Sequence, residues 1–137
     1  MTEEQTLMLI KPDGVKNSHI GDVISRIEHR NYEITAMKMV QATESQLREH
    51  YAALVDKPFF PKTLKYMQSG PIIAMIIKGT NVIAAIREMS GATVPSQARS
   101  GTLRGDFARE WPDGTIRNLV HTSDSPESAQ REIGVWF

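Results

Sequence analysis

The sequence predicts an α+β fold: an antiparallel sheet with helices packed on one face, in a single domain spanning residues 1–137. Three observations lead there. Short apolar runs alternate with segments of helical spacing, glycine and proline punctuate nearly every junction, and no segment repeats. A chain of 137 residues can bury about two-thirds of its unfolded surface around one core.

The elements follow in chain order. Thr6 to Ile10 is a compact apolar run, a strand that stops at the turn sequence Lys11-Pro12-Asp13-Gly14. Ile20, Val23, Ile24 and Ile27 keep helical spacing with charges between them, which predicts a helix over 20–30. Ile34 to Val40 reads as a second strand. Thr43 and Gln46 match a capping box, so a helix follows through Leu47, Tyr51 and Leu54. Phe59 to Met67 predicts another short helix. Ile72 to Ile77, bounded by Gly70-Pro71 and Gly79, is a buried strand, and Asn81 is placed to cap a helix running to about Met89. Residues 91–117 hold glycines and prolines but little periodicity, so a long loop is expected, of the kind that is usually functional. Leu119 to His121 is a final strand. Ser125 before Pro126 starts a helix to about Ile133.

Composition narrows the function. Sixteen basic residues balance sixteen acidic ones, which argues against nucleic-acid binding driven by counterion release. There is no cysteine for a disulfide or a thiolate metal site, and the longest apolar run is far too short to span a bilayer. A cytoplasmic location is expected. Neither a G-x-x-x-x-G-K-[ST] loop nor a G-x-G-x-x-G occurs. Histidines at 19, 29, 50 and 121 show no paired metal-ligand spacing, so no zinc site is expected, and His29 and His50 read as solvated helix residues. Arg104-Gly105-Asp106 matches an adhesion tripeptide, a match read as accidental.

His121 is different because it ends an apolar run immediately before a helix start, where side chains tend to face ligands. Lys11 follows the first strand, Arg87 lies before the long loop, Thr93 and Arg104 lie in it, and Asn118 flanks the last strand. Three cations, a hydroxyl and an amide are what a polyphosphate needs when no glycine loop serves it.

Longer segments carry a resemblance. Leu9-Ile10-Lys11-Pro12-Asp13-Gly14-Val15, His50-Tyr51, Lys57-Pro58-Phe59-Phe60, Ser69-Gly70-Pro71 and Gly91-Ala92-Thr93 come first. Gly101-Thr102-Leu103-Arg104-Gly105-Asp106-Phe107, Asn118 to Ser125, Glu132-Ile133 and Trp136-Phe137 complete the set. With these, the chain resembles the nucleoside diphosphate kinases from Thr6 to Phe137. The resemblance implies a ferredoxin-like α+β sandwich, phosphoryl transfer between nucleoside triphosphates and diphosphates, and a ping-pong cycle through a phosphohistidine at His121. It implies that Glu132 orients that ring, that Ser123 hydrogen-bonds behind it, and that Lys11, Arg87, Thr93, Arg104 and Asn118 contact phosphates and ribose. Tyr51 shapes the site, and Phe59 offers a stacking surface that accepts any base. Mg²⁺ is expected to arrive on the nucleotide phosphates, touching Asp124 through water, and the chain is expected to form a homo-oligomer.

Departures from the family pattern are local. The segment 108–117, with Trp111-Pro112-Asp113-Gly114, is a few residues longer than usual and replaces a second apolar base contact by either Trp111 or Ile116. Thr122 stands where glycine is common, and a β-branched residue there disfavours a left-handed turn. Three other readings compete. An RNA-binding module would need aromatic and basic strands, a protein-fed phosphocarrier would bind no nucleotide, and an inactive relative would not keep His121 with three cations.

Overall fold

Four consecutive residues of the first strand, Leu7, Met8, Leu9 and Ile10, have no exposed surface at all. Because side chains alternate across a strand, a run buried without a break must be covered on both faces of its sheet. A computed structural model describes residues 3–114 and 117–137 and shows that arrangement. The sheet has the order β2-β3-β1-β4, with β1 (Glu3–Ile10), β2 (Glu33–Val40), β3 (Ile72–Thr80) and β4 (Val120–Thr122). Every pairing is antiparallel.

Met8 and Ile10 face α2 (Ile20–His29) and α5 (Val82–Ser90), packing with Val23, Ile27, Val82 and Ile86. Leu7 and Leu9 face the other way, against Leu47 of α3 (Glu44–His50), Met67 of α4 (Phe60–Met67) and Trp136 of α7 (Pro126–Trp136). The expectation of helices on one face is therefore corrected: they cover both. Each of these side chains gains about 1.5–3 kcal/mol from burial, an upper figure since the unfolded chain is not fully extended.

Several local expectations change with the packing. Lys11-Pro12-Asp13-Gly14 opens a one-turn helix, α1 (Pro12–Lys16), with Pro12 in the first turn. The capping box of Thr43 and Gln46 forms, but the helix ends at His50 and a 3-10 turn, Ala52–Leu54, carries the chain on. Gly79 lies inside β3, where Tyr32 covers it. Asn81 precedes α5 in a left-handed conformation, φ 55°, and its side chain caps nothing.

The segment 91–114 is not structureless. It contains a 3-10 turn at Pro95–Gln97 and a short helix, α6 (Leu103–Phe107), capped by Thr102 accepting from the Gly105 amide. No helix among the described residues is long and apolar enough to cross a membrane.

The final strand begins one residue later than its apolar run suggests, since Leu119 is left-handed at φ 75°. That conformation costs a non-glycine residue about 1–3 kcal/mol and persists only where neighbours impose it. Three do. The Leu119 amide donates to Asp13 Oδ2 at 3.0 Å, its carbonyl accepts from the Lys11 amide at 2.8 Å, and its side chain lies against Gly14. Tyr66 holds the same Asp13 carboxylate through its hydroxyl.

Gly105 is the tightest approach in the loop, since a Cβ there would overlap the Arg99 carbonyl oxygen. Gly105→Ala should therefore lower the unfolding free energy by about 1–3 kcal/mol, measured by denaturant titration at unchanged m-value. Unaltered stability would mean that 99–105 does not pack this way.

Candidate active site

β4 is only three residues long, yet it sets the site. Its pairing with β1 places His121 opposite Leu9, and the Ser123 amide donates to the Leu7 carbonyl at 3.2 Å just beyond it. The chain then turns through Ser125, whose side chain accepts from the Ser128 amide at 3.1 Å and caps α7. Ala129, Glu132 and Trp136 follow at helical spacing and form the buried stripe of that helix. Glu132 thereby returns beside the residue from which the turn departed.

The result is a hydrogen-bonded triad. Glu132 Oε1 lies 2.8 Å from His121 Nε2 and 2.8 Å from the Ser123 hydroxyl. A buried carboxylate can only accept, so the network assigns the histidine proton to Nε2. Nδ1 then carries the lone pair, and it has no hydrogen-bond partner among the described residues. The His121 side chain keeps 22% of its surface exposed while Glu132 keeps 5%. Burial, opposed by Glu132 and aided by Lys11 and Arg104, holds the His121 pKa below the ordinary histidine value. Its ring is neutral at pH 7.

Nδ1 belongs to a ring that lines an inner cavity of about 180 Å³ together with Lys11, Arg87, Thr93, Arg104, Asn118 and Asp124. A wider cavity of about 370 Å³, lined by Tyr51, Phe59, Lys62 and Tyr66, shares Lys11, Thr93 and Asn118 with it. The two make one cleft with a cationic floor and an aromatic mouth. Phe59 is 51% exposed there, an unusual state for a phenylalanine with nothing to cover it.

The polar groups of the floor are ordered before any ligand arrives. Lys11 Nζ donates to Asn118 Oδ1 at 2.7 Å, and Asn118 Nδ2 donates to the Thr93 carbonyl at 3.0 Å. Burial and the nearby Arg104 lower the Lys11 pKa to about 8, with Asp13 opposing. Arg104 is 8% exposed and donates to three carbonyls: Nε to Asn118 at 3.0 Å, Nη1 to Gly91 at 2.8 Å and Nη2 to Val120 at 2.7 Å. It is thus a tie between the loop and β4 as well as a wall of the cavity. Burial first, then Arg87, lowers its pKa to about 10, so it stays charged.

All ten residues singled out from the sequence converge here: Lys11, Tyr51, Phe59, Arg87, Thr93, Arg104, Asn118, His121, Ser123 and Glu132. Three other expectations fare differently. Trp111 lines a neighbouring cavity with Val94 and Pro95, with the Arg109 and Arg117 guanidiniums 4.4 and 4.9 Å from its ring centre. It is not part of the cleft wall, and Ile116 lies outside the described residues. The adhesion tripeptide is closed, since Arg104 is buried and Asp106 accepts from Arg26 at 2.7 Å.

His50 is the largest correction. It is not solvated but 3% exposed, its ring centre 4.2 Å from that of His121. The sequence hid this because the charged Arg48 and Glu49 come directly before it in α3. Its place as the residue before Tyr51, at the end of a helix facing the core, was the available signal. Spacing also hid a donor cluster: His50, His121 and Glu132 each bring a potential ligand atom within 4.8 Å of the others. Lys11, Arg104 and Arg131 surround that cluster with positive charge, which favours an anion over a cation.

Comparison with known proteins matches this geometry to a family. The family described as nucleoside diphosphate kinase matches residues 4–137. A nucleoside diphosphate kinase of Streptococcus agalactiae is 52% identical over 135 residues, covering 98% of both chains. Nucleoside diphosphate kinase A of the dog, Canis lupus familiaris, is 48% identical over 98% of this chain and 86% of its own. Among solved structures, the apo enzyme of Encephalitozoon cuniculi has a TM-score of 0.92 at 35% identity, covering 98% of this chain and 88% of its own. The Borrelia burgdorferi enzyme, a transition-state mimic with bound vanadate and ADP, has a TM-score of 0.92 at 33% identity, covering 98% of this chain and 87% of its own. The chain belongs to the nucleoside diphosphate kinase family.

Proposed function

We propose that this chain moves the γ-phosphoryl group of a nucleoside triphosphate to a nucleoside diphosphate by a ping-pong cycle through His121. The observation that carries the reading is the fixed ring: Nε2 held by Glu132 at 2.8 Å, Nδ1 left open in a cavity of cations. In the first half-reaction the Nδ1 lone pair attacks the γ-phosphorus. The Nδ1–P bond forms, the bond from phosphorus to the β,γ-bridging oxygen breaks, and its electron pair leaves on the diphosphate. Nε2–H stays in place, and Glu132 balances the positive charge that the phosphorylated ring acquires. The second half-reaction reverses these bonds with a different diphosphate.

The other residues act by alignment and charge. Lys11, Arg87 and Arg104 neutralise the migrating group, Thr93 and Asn118 hold phosphate and ribose oxygens, and Tyr51 bounds the ring pocket. Phe59 stacks on the base, a contact that accepts any base. Ser123 keeps Glu132 turned toward the histidine. Mg²⁺ fits as a passenger of the nucleotide: the inner cavity offers only Asp124 and Glu132 as carboxylates, and Glu132 is already committed to His121 and Ser123. When bound, the ion neutralises charge on the phosphates. Asp124, whose pKa a hydrogen bond from Ser128 lowers, is anionic and exposed for a water-mediated contact.

We also read the chain as a cytoplasmic homo-oligomer. Among the described residues the outer edge of β2 pairs with no strand, and Met37 and Met39 on that strand are 51% and 56% exposed, an apolar surface that a second copy would cover.

Incubation with γ-labelled ATP and Mg²⁺ should give acid-labile, base-stable label that GDP removes. A protein-fed phosphocarrier would retain the label, and an RNA-binding module would never take it. His121→Ala should abolish labelling with the fold intact, and Arg104→Ala should slow transfer about a hundredfold or more. A labelled His121→Ala variant would refute the assignment.

The pH profile has two limbs. As pH falls through the lowered pKa of His121 the ring takes a proton on Nδ1 and kcat/KM drops, so the acid limb lies below 6.5. As pH rises through about 8, Lys11 loses its charge in the free enzyme and kcat/KM drops again. Bound phosphate favours charged Lys11, so the same limb in kcat sits at higher pH. A kcat/KM profile flat to pH 10, where an ordinary lysine titrates at about 10.4, would contradict this role.

A further inference from the structure

His50 is buried, titratable and unused by the reaction just described. Trp136 Nε1–H donates to its Nδ1 at 3.1 Å, and an indole can only donate, so the His50 proton sits on Nε2. That Nε2 is buried and has no hydrogen-bond partner among the described residues. A buried donor left unpaired costs about 1–3 kcal/mol, a cost that invites a functional explanation. The ring meets His121 edge to face, 72° between planes, and meets Tyr51 at 90° with centres 4.6 Å apart. It is wedged between α7, through Trp136, and the reacting strand β4.

Resting on the proposed phosphohistidine reaction, we infer that His50 is a positioning residue for His121. Its ring, locked by Trp136, is the wall that fixes the plane of His121, keeping Nε2 on Glu132 and Nδ1 open to the cleft. One hydrogen bond donated to Glu132 leaves the imidazole free to swing about the axis of that bond. A second flat surface against the ring removes this freedom. An edge-to-face contact suits the task because it holds orientation without offering Nδ1 a competing partner. Burial, followed by His121, Arg131 and Lys11, keeps the His50 pKa well below the ordinary value, so the wall is neutral and does not repel the charged phosphohistidine.

The test is His50→Ala in the full chain, with folding checked by circular dichroism. Single-turnover phosphorylation by Mg·ATP should slow about tenfold or more, the scale expected for loss of alignment, while KM for ADP changes less than about twofold. The acid limb of phosphorylation should also move up toward an ordinary histidine, because water replaces the wall. The groups that bear on that limb are Lys11 after β1, Tyr51 after α3, Arg87 of α5 and Arg104 of α6. Asp124 after β4 and Arg131 and Glu132 of α7 complete them, and none is altered. A variant that is merely less stable would not shift the limb.

Equal rates and an unshifted limb in His50→Ala would overturn the inference while leaving the phosphohistidine intact. Failure of the unaltered chain to take label would instead remove the reaction itself. Should His50→Ala not fold, ¹⁵N-histidine NMR of the unaltered chain decides. Nε2–H tautomers at both His50 and His121 at neutral pH support the inference, and an Nδ1–H tautomer or a charged ring at His50 overturns it.

Discussion

The 2.8 Å contact between Glu132 and Nε2 of His121 is the constraint on which the site depends. An imidazole has two nitrogens of nearly equal basicity, and only one of them faces the cleft usefully. Giving the proton to Nε2 puts the lone pair on Nδ1. The bond is possible because two unrelated pieces of backbone are brought to a fixed separation: a three-residue strand at the sheet edge, and the second turn of the helix that follows. Their connection is short and capped at Ser125, so α7 leaves in one direction only.

Much of the surrounding structure serves to hold β4 in place. Arg104 binds three carbonyls around it, and Asp13 pins the left-handed Leu119 that lets Asn118 and His121 reach the same cleft. These are polar ties on buried groups, where an unpaired partner is expensive, so the segment has few alternative conformations. The same crowding has an electrostatic consequence. Burial lowers the proton affinity of Lys11 and His121, Arg104 lowers that of Lys11 further, and both cations lower that of His121. Apart from Asp124 and the committed Glu132 the floor is an excess of positive charge, which a polyphosphate relieves.

The sequence was legible where one residue type carries one physical signal. Ser125-Pro126 announced the start of α7, Thr43 and Gln46 announced α3, and the strand-to-helix junction singled out His121. The convergence of the other cleft residues came from ordered motifs rather than from spacing, because a cleft assembled from six separate segments leaves no periodicity. Three features stayed hidden. Helices on both faces were missed because the unbroken apolar runs of β1 and β3, which call for cover on both sides, do not say that helices supply it. The order within 91–117 was missed because α6 is five residues long and holds a glycine. His50 was missed because its environment is tertiary: Trp136 and His121 reach it from across the fold.

The most direct measurement concerns the position of the bond. After phosphorylation by Mg·ATP, ³¹P and ¹⁵N NMR of the intact protein identifies the nitrogen that carries phosphorus. A fixed Nε2–H at Glu132 requires the phosphorus on Nδ1 of residue 121, with Nε2 still protonated. Phosphorus on Nε2, or on any other side chain, would contradict it.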